Sequence, residues 1–204
     1  MNESWETHYH HFEGKKTPPA ATLSKALALF NETGCPLQNR HAIDLGCGNG
    51  IDTQAMIQQE WQVLAIDQQE EVLRQLCSDI PFYQKNSLTT LCRSFEDLSE
   101  LPESTLVNAT FSLPFCKPHK FHRLWELIVN CLLPGGRFAG HFFGVEDSWK
   151  DNPDMTFHQS FEVQQLLSGF TIEAFQEMNK DGKTISGKDK HWHVFHVVAR
   201  KNPT

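Results

Sequence analysis

Within seven residues, Asp44-Leu45-Gly46-Cys47-Gly48-Asn49-Gly50 sets one carboxylate ahead of three alternating glycines. The run follows the apolar His41-Ala42-Ile43, which reads as a strand, and precedes Ile51 to Ile57, which reads as a helix. Glycine lacks a Cβ and tolerates positive φ, so such a turn lets a ligand approach the backbone closely. A dinucleotide fingerprint would need a glycine at 51, where Ile51 stands, and a phosphate-binding loop would need a following Gly-Lys-Ser/Thr, which is missing. A carboxylate ahead of the first glycine repels a pyrophosphate and suits an ammonium group instead.

A second acidic residue arrives on schedule. Trp61-Gln62-Val63-Leu64-Ala65-Ile66-Asp67 reads as a strand ending in Asp67, with Gln68 beside it. An ionised carboxylate there accepts hydrogen bonds from vicinal ribose hydroxyls; the plainer reading is a cap for a helix over Gln69 to Cys77.

Together these residues resemble motif I of the class I methyltransferases, Asp/Glu-x-Gly-x-Gly-x-Gly, with its acidic partner after the second strand. Leu132-Leu133-Pro134-Gly135-Gly136-Arg137-Phe138 resembles the turn that precedes the family's fifth strand. The resemblance implies S-adenosylmethionine as cofactor. Asp44 would orient its amino group, and Gly46, Cys47, Gly48, Asn49 and Gly50 would cradle it. Asp67 and Gln68 would hold the ribose, and Ser94 and Phe95 would border the adenine. Phe111, Ser112 and Leu113 would flank the methyl donor. The family often begins its adenine segment with Asp; here Ser94 takes that register, with Glu96 and Asp97 nearby.

The elements that must position these residues alternate. Helices are expected over Leu23 to Glu32, Phe121 to Leu133 and Phe161 to Leu167, and strands over Leu88 to Phe95, Ser104 to Leu113 and Arg137 to Phe143. Two last strands, Phe170 to Met178 and His193 to Arg200, flank an expected turn at Asp181-Gly182-Lys183. Alternation of this kind implies a mostly parallel sheet covered on both faces. The expectation is one α/β domain over 1–204, a Rossmann-like three-layer sandwich whose seven-stranded, mostly parallel sheet has its last strand antiparallel. The aromatic segment Trp5 to Phe12 reads as part of an N-terminal lid or helical segment over 1–33 that could exclude water.

Composition narrows the partners. Eighteen basic against 25 acidic residues give a net charge of −7, without the basic stripe that nucleic acid calls for. No apolar run approaches the roughly 20 residues that span a bilayer, and the start lacks signal-peptide character. The six scattered cysteines read as reduced thiols, and no Cys or His spacing fits a zinc site. The expectation is a cytoplasmic protein with a small-molecule acceptor and no metal, nucleic acid or membrane partner.

For the acceptor, Asn108 to Phe115 stands where amino-methylating DNA and protein enzymes carry Asn/Asp-Pro-Pro-Tyr/Phe, and its apolar character favours a small, partly apolar molecule. Its attacking atom stays open among O, N, S and a heavier chalcogen. His141, His191, His193 and Glu146 are the candidates for proton transfer. Glu146, Asp147 and Trp149 form a candidate aromatic–acidic rim after the fifth strand. Phe142 to Trp149 and Lys190 to His196 resemble bacterial methyltransferases of the tellurite-resistance-related group. The alternatives are a non-catalytic S-adenosylmethionine-binding sensor or scaffold, a protein or RNA methyltransferase, and an NAD(P)-linked reductase, which Ile51 disfavours.

Overall fold

The computed structural model describes residues 17–184 and 186–203; the aromatic segment Trp5 to Phe12 lies outside them. The parallel strands β1 (His41–Leu45), β2 (Gln62–Asp67), β3 (Leu88–Cys92), β4 (Ser104–Ala109) and β5 (Leu132–Gly144) build most of the sheet. A two-residue strand β6 (Phe157–His158) pairs with β5, followed by the long β7 (Phe170–Lys183) and β8 (Asp189–Lys201). The order is β3-β2-β1-β4-β5-β8-β7, and β8 runs antiparallel to both its neighbours. β4 is buried at all six positions, as a central strand covered on both faces must be.

Each face carries its own core. Helix α1 (Ala21–Thr33) sends Leu23, Ala26, Leu27 and Phe30 at helical spacing onto Ala139 and Val198. Its neighbours on that face are α2 (Ile51–Gln58), through Met56 and Ile57, and α3 (Glu70–Asp79), through Leu73 and Leu76. On the opposite face, α4 (Pro118–Cys131) lays Phe121, Leu124, Trp125 and Ile128 over Phe138 and Phe142, beside Val163 of α5 (Ser160–Leu166). Each such buried large side chain contributes about 1.5–3 kcal/mol. Helix α1 stops where Gly34 takes φ 76°, closing the last turn with its N–H on the Phe30 carbonyl.

Two local expectations are corrected. Asp181, Gly182 and Lys183 stay in register with His191, Lys190 and Asp189, so β7 runs through them as strand rather than turn. Pro134-Gly135-Gly136 does not precede β5 but lies inside it: β4 pairs Ser104 with Leu132 and then Leu106 with Arg137, so the turn is absorbed as a bulge with Gly135 at φ 80°.

The parallel strands end on one edge, which gathers Asp44, Asp67, Asn108 and Gly144. In open α/β sheets ligands bind at this carboxyl edge.

Candidate active site

Gly46 and Gly50 are needed for packing as much as for ligand approach. Both have left-handed φ, 69° and 73°. A Cβ on Gly46 would stand 2.5 Å from Ser112 Cβ, and one on Gly50 would meet the Leu76 side chain. The loop is tied down by Asp67, whose two carboxylate oxygens accept from the N–H of Gly48 at 3.0 Å and of Gln69 at 2.9 Å. Asp67 therefore fixes the glycine turn and the entry to α3.

Beneath the loop, Asp44 and Asp52 form a buried pair. Asn108 Nδ2 donates to Asp44 Oδ1 at 2.9 Å and to Asp52 Oδ2 at 3.0 Å, and Thr53 Oγ1 donates to Asp44 Oδ2 at 2.5 Å. The Asn108 amide is itself oriented by Thr110 Oγ1, which donates to its oxygen at 3.2 Å. The other oxygen of Asp52 accepts from the Ala20 N–H at 2.9 Å, which ties the chain ahead of α1 to the site. Among the described residues no Lys or Arg pairs with either carboxylate. Burial, and then the neighbouring Asp52, push Asp44 up to about 7. An ammonium beside this pair would supply the cation it lacks.

Two cavities meet at Gly46, Phe111 and Phe115. The smaller, about 70 Å³, is also lined by Asp67, Gln68, Arg93, Ser94, Phe95, Glu96 and Ser112. The Ser94 hydroxyl donates to Asp97 at 2.7 Å, and Glu96 accepts from the Lys117 N–H at 3.2 Å, so these side chains are engaged within the protein. The larger, about 460 Å³, runs from Asp44, Cys47, Gly48, Asn49 and Asp52, with Thr17, Pro18 and Ala20 alongside, to a chamber of rings. Those rings are Phe111, Phe115, Phe143, Trp149 and Trp192. Burial raises the Cys47 thiol well above its ordinary value, so it stays protonated and inert.

Phe111 is the hinge between the two. It holds a left-handed φ of 48°, a conformation that costs a non-glycine residue roughly 1–2 kcal/mol. Its N–H donates to His141 Nδ1 at 3.2 Å and its ring stacks on the imidazole with centroids 4.1 Å apart. Accepting this bond places the His141 proton on Nε2. Burial, then the nearby His196, press its pKa down to about 3, so the ring is neutral near pH 7.

The sequence candidates scatter accordingly. Asp44, Asp67, Gly46, Cys47, Gly48 and Asn49 converge with Gln68, Ser94, Phe95, Phe111 and Ser112 on the two cavities; Gly50 lies behind them, against Leu76. His141 is buried behind Phe111 and lines neither cavity. His191 lies on the hairpin between Asp181 and Asn179, and the exposed Glu146 accepts from Asn179 at 2.9 Å; neither lines a cavity. His193 is buried between the Glu146 N–H and Glu177. Of the expected rim, Trp149 lines the chamber, whereas Asp147 is buried in an ion pair with Lys190. Sequence reasoning missed Asp52, Asn108, Arg93 and Trp192 as lining or supporting groups. A lone polar residue within the otherwise apolar centre of β4 was the available signal for Asn108.

Residues 42–136 match the family model described as a methyltransferase domain. The chain is 30% identical over 156 residues to a trans-aconitate 2-methyltransferase of Acidovorax ebreus, covering 74% of this chain and 51% of that protein. It thus spans about half the length of that relative. Among solved structures, TehB from Haemophilus influenzae superposes with a TM-score of 0.76 at 12% identity, over 97% of this chain and 67% of that one. The 1,6-didemethyltoxoflavin-N1-methyltransferase of Burkholderia thailandensis, with bound 1,6-didemethyltoxoflavin and S-adenosylhomocysteine, gives a TM-score of 0.66 at 20% identity, over 98% and 86%. These two share the fold. The glycine loop, the acidic strand ends and the strand order agree with these matches: residues 42–136 form a methyltransferase domain, set within the fold these two structures share.

Proposed function

We propose that this protein transfers the methyl group of S-adenosylmethionine to a small-molecule acceptor held in the ring-lined chamber. The observation that carries this reading is one continuous cavity with two buried carboxylates at one end and five aromatic rings at the other. The Asp44–Asp52 pair suits the cofactor's ammonium. Asp67 suits its ribose hydroxyls, and the small cavity beside Phe95 suits the adenine. When bound, the cofactor supplies an electrophilic methyl group on a sulfonium.

The protein's part is positioning and exclusion of water. Phe111, fixed by His141, stands where the two cavities join and so borders the reacting centre. A lone pair of the acceptor forms the new bond to carbon as the carbon–sulfur pair returns to sulfur, leaving S-adenosylhomocysteine. Any proton on the attacking atom leaves to solvent, because no titratable side chain at the ring-lined end is placed to take it among the described residues.

The trans-aconitate and 1,6-didemethyltoxoflavin enzymes act on small molecules, which supports an acceptor of that size. Six free thiols suit a reducing compartment, in line with a cytoplasmic site of action. The acidic charge disfavours nucleic acid as acceptor.

The test is appearance of S-adenosylhomocysteine when the protein and S-adenosylmethionine meet a panel of small N, O and S nucleophiles. Acceptor-dependent product supports the reading. Tight cofactor binding without product from any acceptor would favour a sensor instead.

A further inference from the structure

The chamber's rings are backed by a charge they do not share with the cavity. Lys190 is buried, with its ammonium paired to the fully buried Asp147. It lies 3.8 Å from the Trp149 ring centroid, 4.4 Å from Trp192 and 5.3 Å from Phe143. All three rings line the cavity, and Lys190 does not. Asp147 completes the assembly by accepting from the N–H of Trp149 at 3.0 Å and of His193 at 3.2 Å. The pair therefore fixes both tryptophans from behind.

Three consequences bear on what the chamber can hold. The π faces of Trp149, Trp192 and Phe143 that would attract a cationic acceptor already serve the Lys190 ammonium, so they have less to offer a second cation. A polyanionic acceptor finds no partner either: among the described lining residues none is Lys, Arg or His, and the charge of Lys190 is neutralised by Asp147. Rings facing one another at steep angles, 73° for Phe111 with Trp192 and 83° for Phe143 with Trp192, let a flat guest stack on one while meeting the edges of others.

We propose that the acceptor is an uncharged, planar aromatic or heteroaromatic molecule, selected by Phe111, Phe115, Phe143, Trp149 and Trp192 and excluding both polycarboxylates and quaternary ammonium compounds. This rests on the methyltransferase reading above and adds the substrate class. Its nucleophile is a ring or ring-attached heteroatom turned toward Phe111.

The experiment uses the full chain. Calorimetry first establishes S-adenosylhomocysteine binding. The saturated protein is then titrated with quinoxaline, choline, citrate and borneol, followed by tryptophan fluorescence. The expected result is quinoxaline binding at least 10-fold tighter than the other three, with quenching of emission. Trp149→Leu and Trp192→Leu should each weaken it at least 10-fold, with S-adenosylhomocysteine affinity within threefold. If either variant fails to fold, the ranking of the four probes on the wild type decides alone. Binding of choline, citrate or borneol as tight as quinoxaline, or no quinoxaline binding by protein that holds S-adenosylhomocysteine, overturns the acceptor class and leaves the methyltransferase reading intact. No S-adenosylhomocysteine binding overturns both.

Discussion

Asp44 at the end of β1 and Asp52 in the first turn of α2 accept hydrogen bonds from the same atom, Asn108 Nδ2, at 2.9 and 3.0 Å. One neutral amide thus spans two buried carboxylates that repel each other. The arrangement is destabilising for the protein alone and favourable once an ammonium is added, so stability and ligand affinity are in tension at this point.

Asp44→Asn tests that tension. The amide can still accept from Asn108 and can donate to Thr53, whose hydroxyl rotates. A carboxyl raised to about 7 in the fold, against about 3.9 unfolded, makes the folded state bind the extra proton. Its contribution to stability therefore worsens as pH rises from about 4 to 7. The variant should melt higher than the wild type at pH 8, with the gap closing toward pH 5, while S-adenosylhomocysteine affinity falls about 10- to 100-fold, as expected for losing a charge-assisted contact. Wild-type affinity should itself fall as pH drops below about 7. Thermal melts and titrations at pH 5, 6, 7 and 8 read all three.

His141→Ala removes the acceptor that holds Phe111 in its left-handed conformation. Misplacement of about 1 Å at a reacting centre costs up to about 100-fold in rate. We expect kcat with any active acceptor to fall 10- to 100-fold while S-adenosylhomocysteine affinity changes less than threefold. With its pKa near 3, wild-type His141 should leave no inflection in the kcat profile between pH 5 and 9. A step that disappears in the variant would make the imidazole a proton carrier instead.

His158 packs its ring 4.6 Å from Phe121 and 5.6 Å from Phe142, and its buried Nδ1 finds no hydrogen-bond partner among the described residues. Burial lowers its pKa to about 4. A depressed histidine contributes stability that is present above about pH 6.5 and is lost as pH falls toward 4. His158→Phe should therefore gain on the wild type by about 2 kcal/mol more at pH 5 than at pH 8, read by urea unfolding at the two pH values. An equal difference at both would place the ring outside this linkage.

What the sequence reveals, and what it hides, follows from how local each signal is. Asp44 and Asp67 each end an apolar run beside glycines or a helix start, so a short window contains the whole argument. The two cores are legible for the same reason: α1 and α4 repeat apolar residues every three or four positions. The Asn108 bridge joins residues 56 and 64 positions apart, and nothing within β4 says which carboxylates its amide will meet. Trp192 shares a strand face with Lys190 on β8 and comes beside Trp149, which follows β5, only through the tertiary fold. The rim expected after β5 contained the right tryptophan but assigned Asp147 outward, although its oxygens turn inward to Lys190 and the His193 N–H.

Calorimetric titration of S-adenosylhomocysteine into the wild type and Asp67→Asn, with melting curves to verify that both are folded, tests the cofactor site most directly. The wild type should bind with micromolar affinity, and the variant about 10- to 100-fold more weakly, because Asp67 would meet the ribose hydroxyls and also anchors the Gly48 N–H. Folded wild-type protein that takes up no S-adenosylhomocysteine, or a variant that binds it equally well, would contradict the cofactor site at its centre.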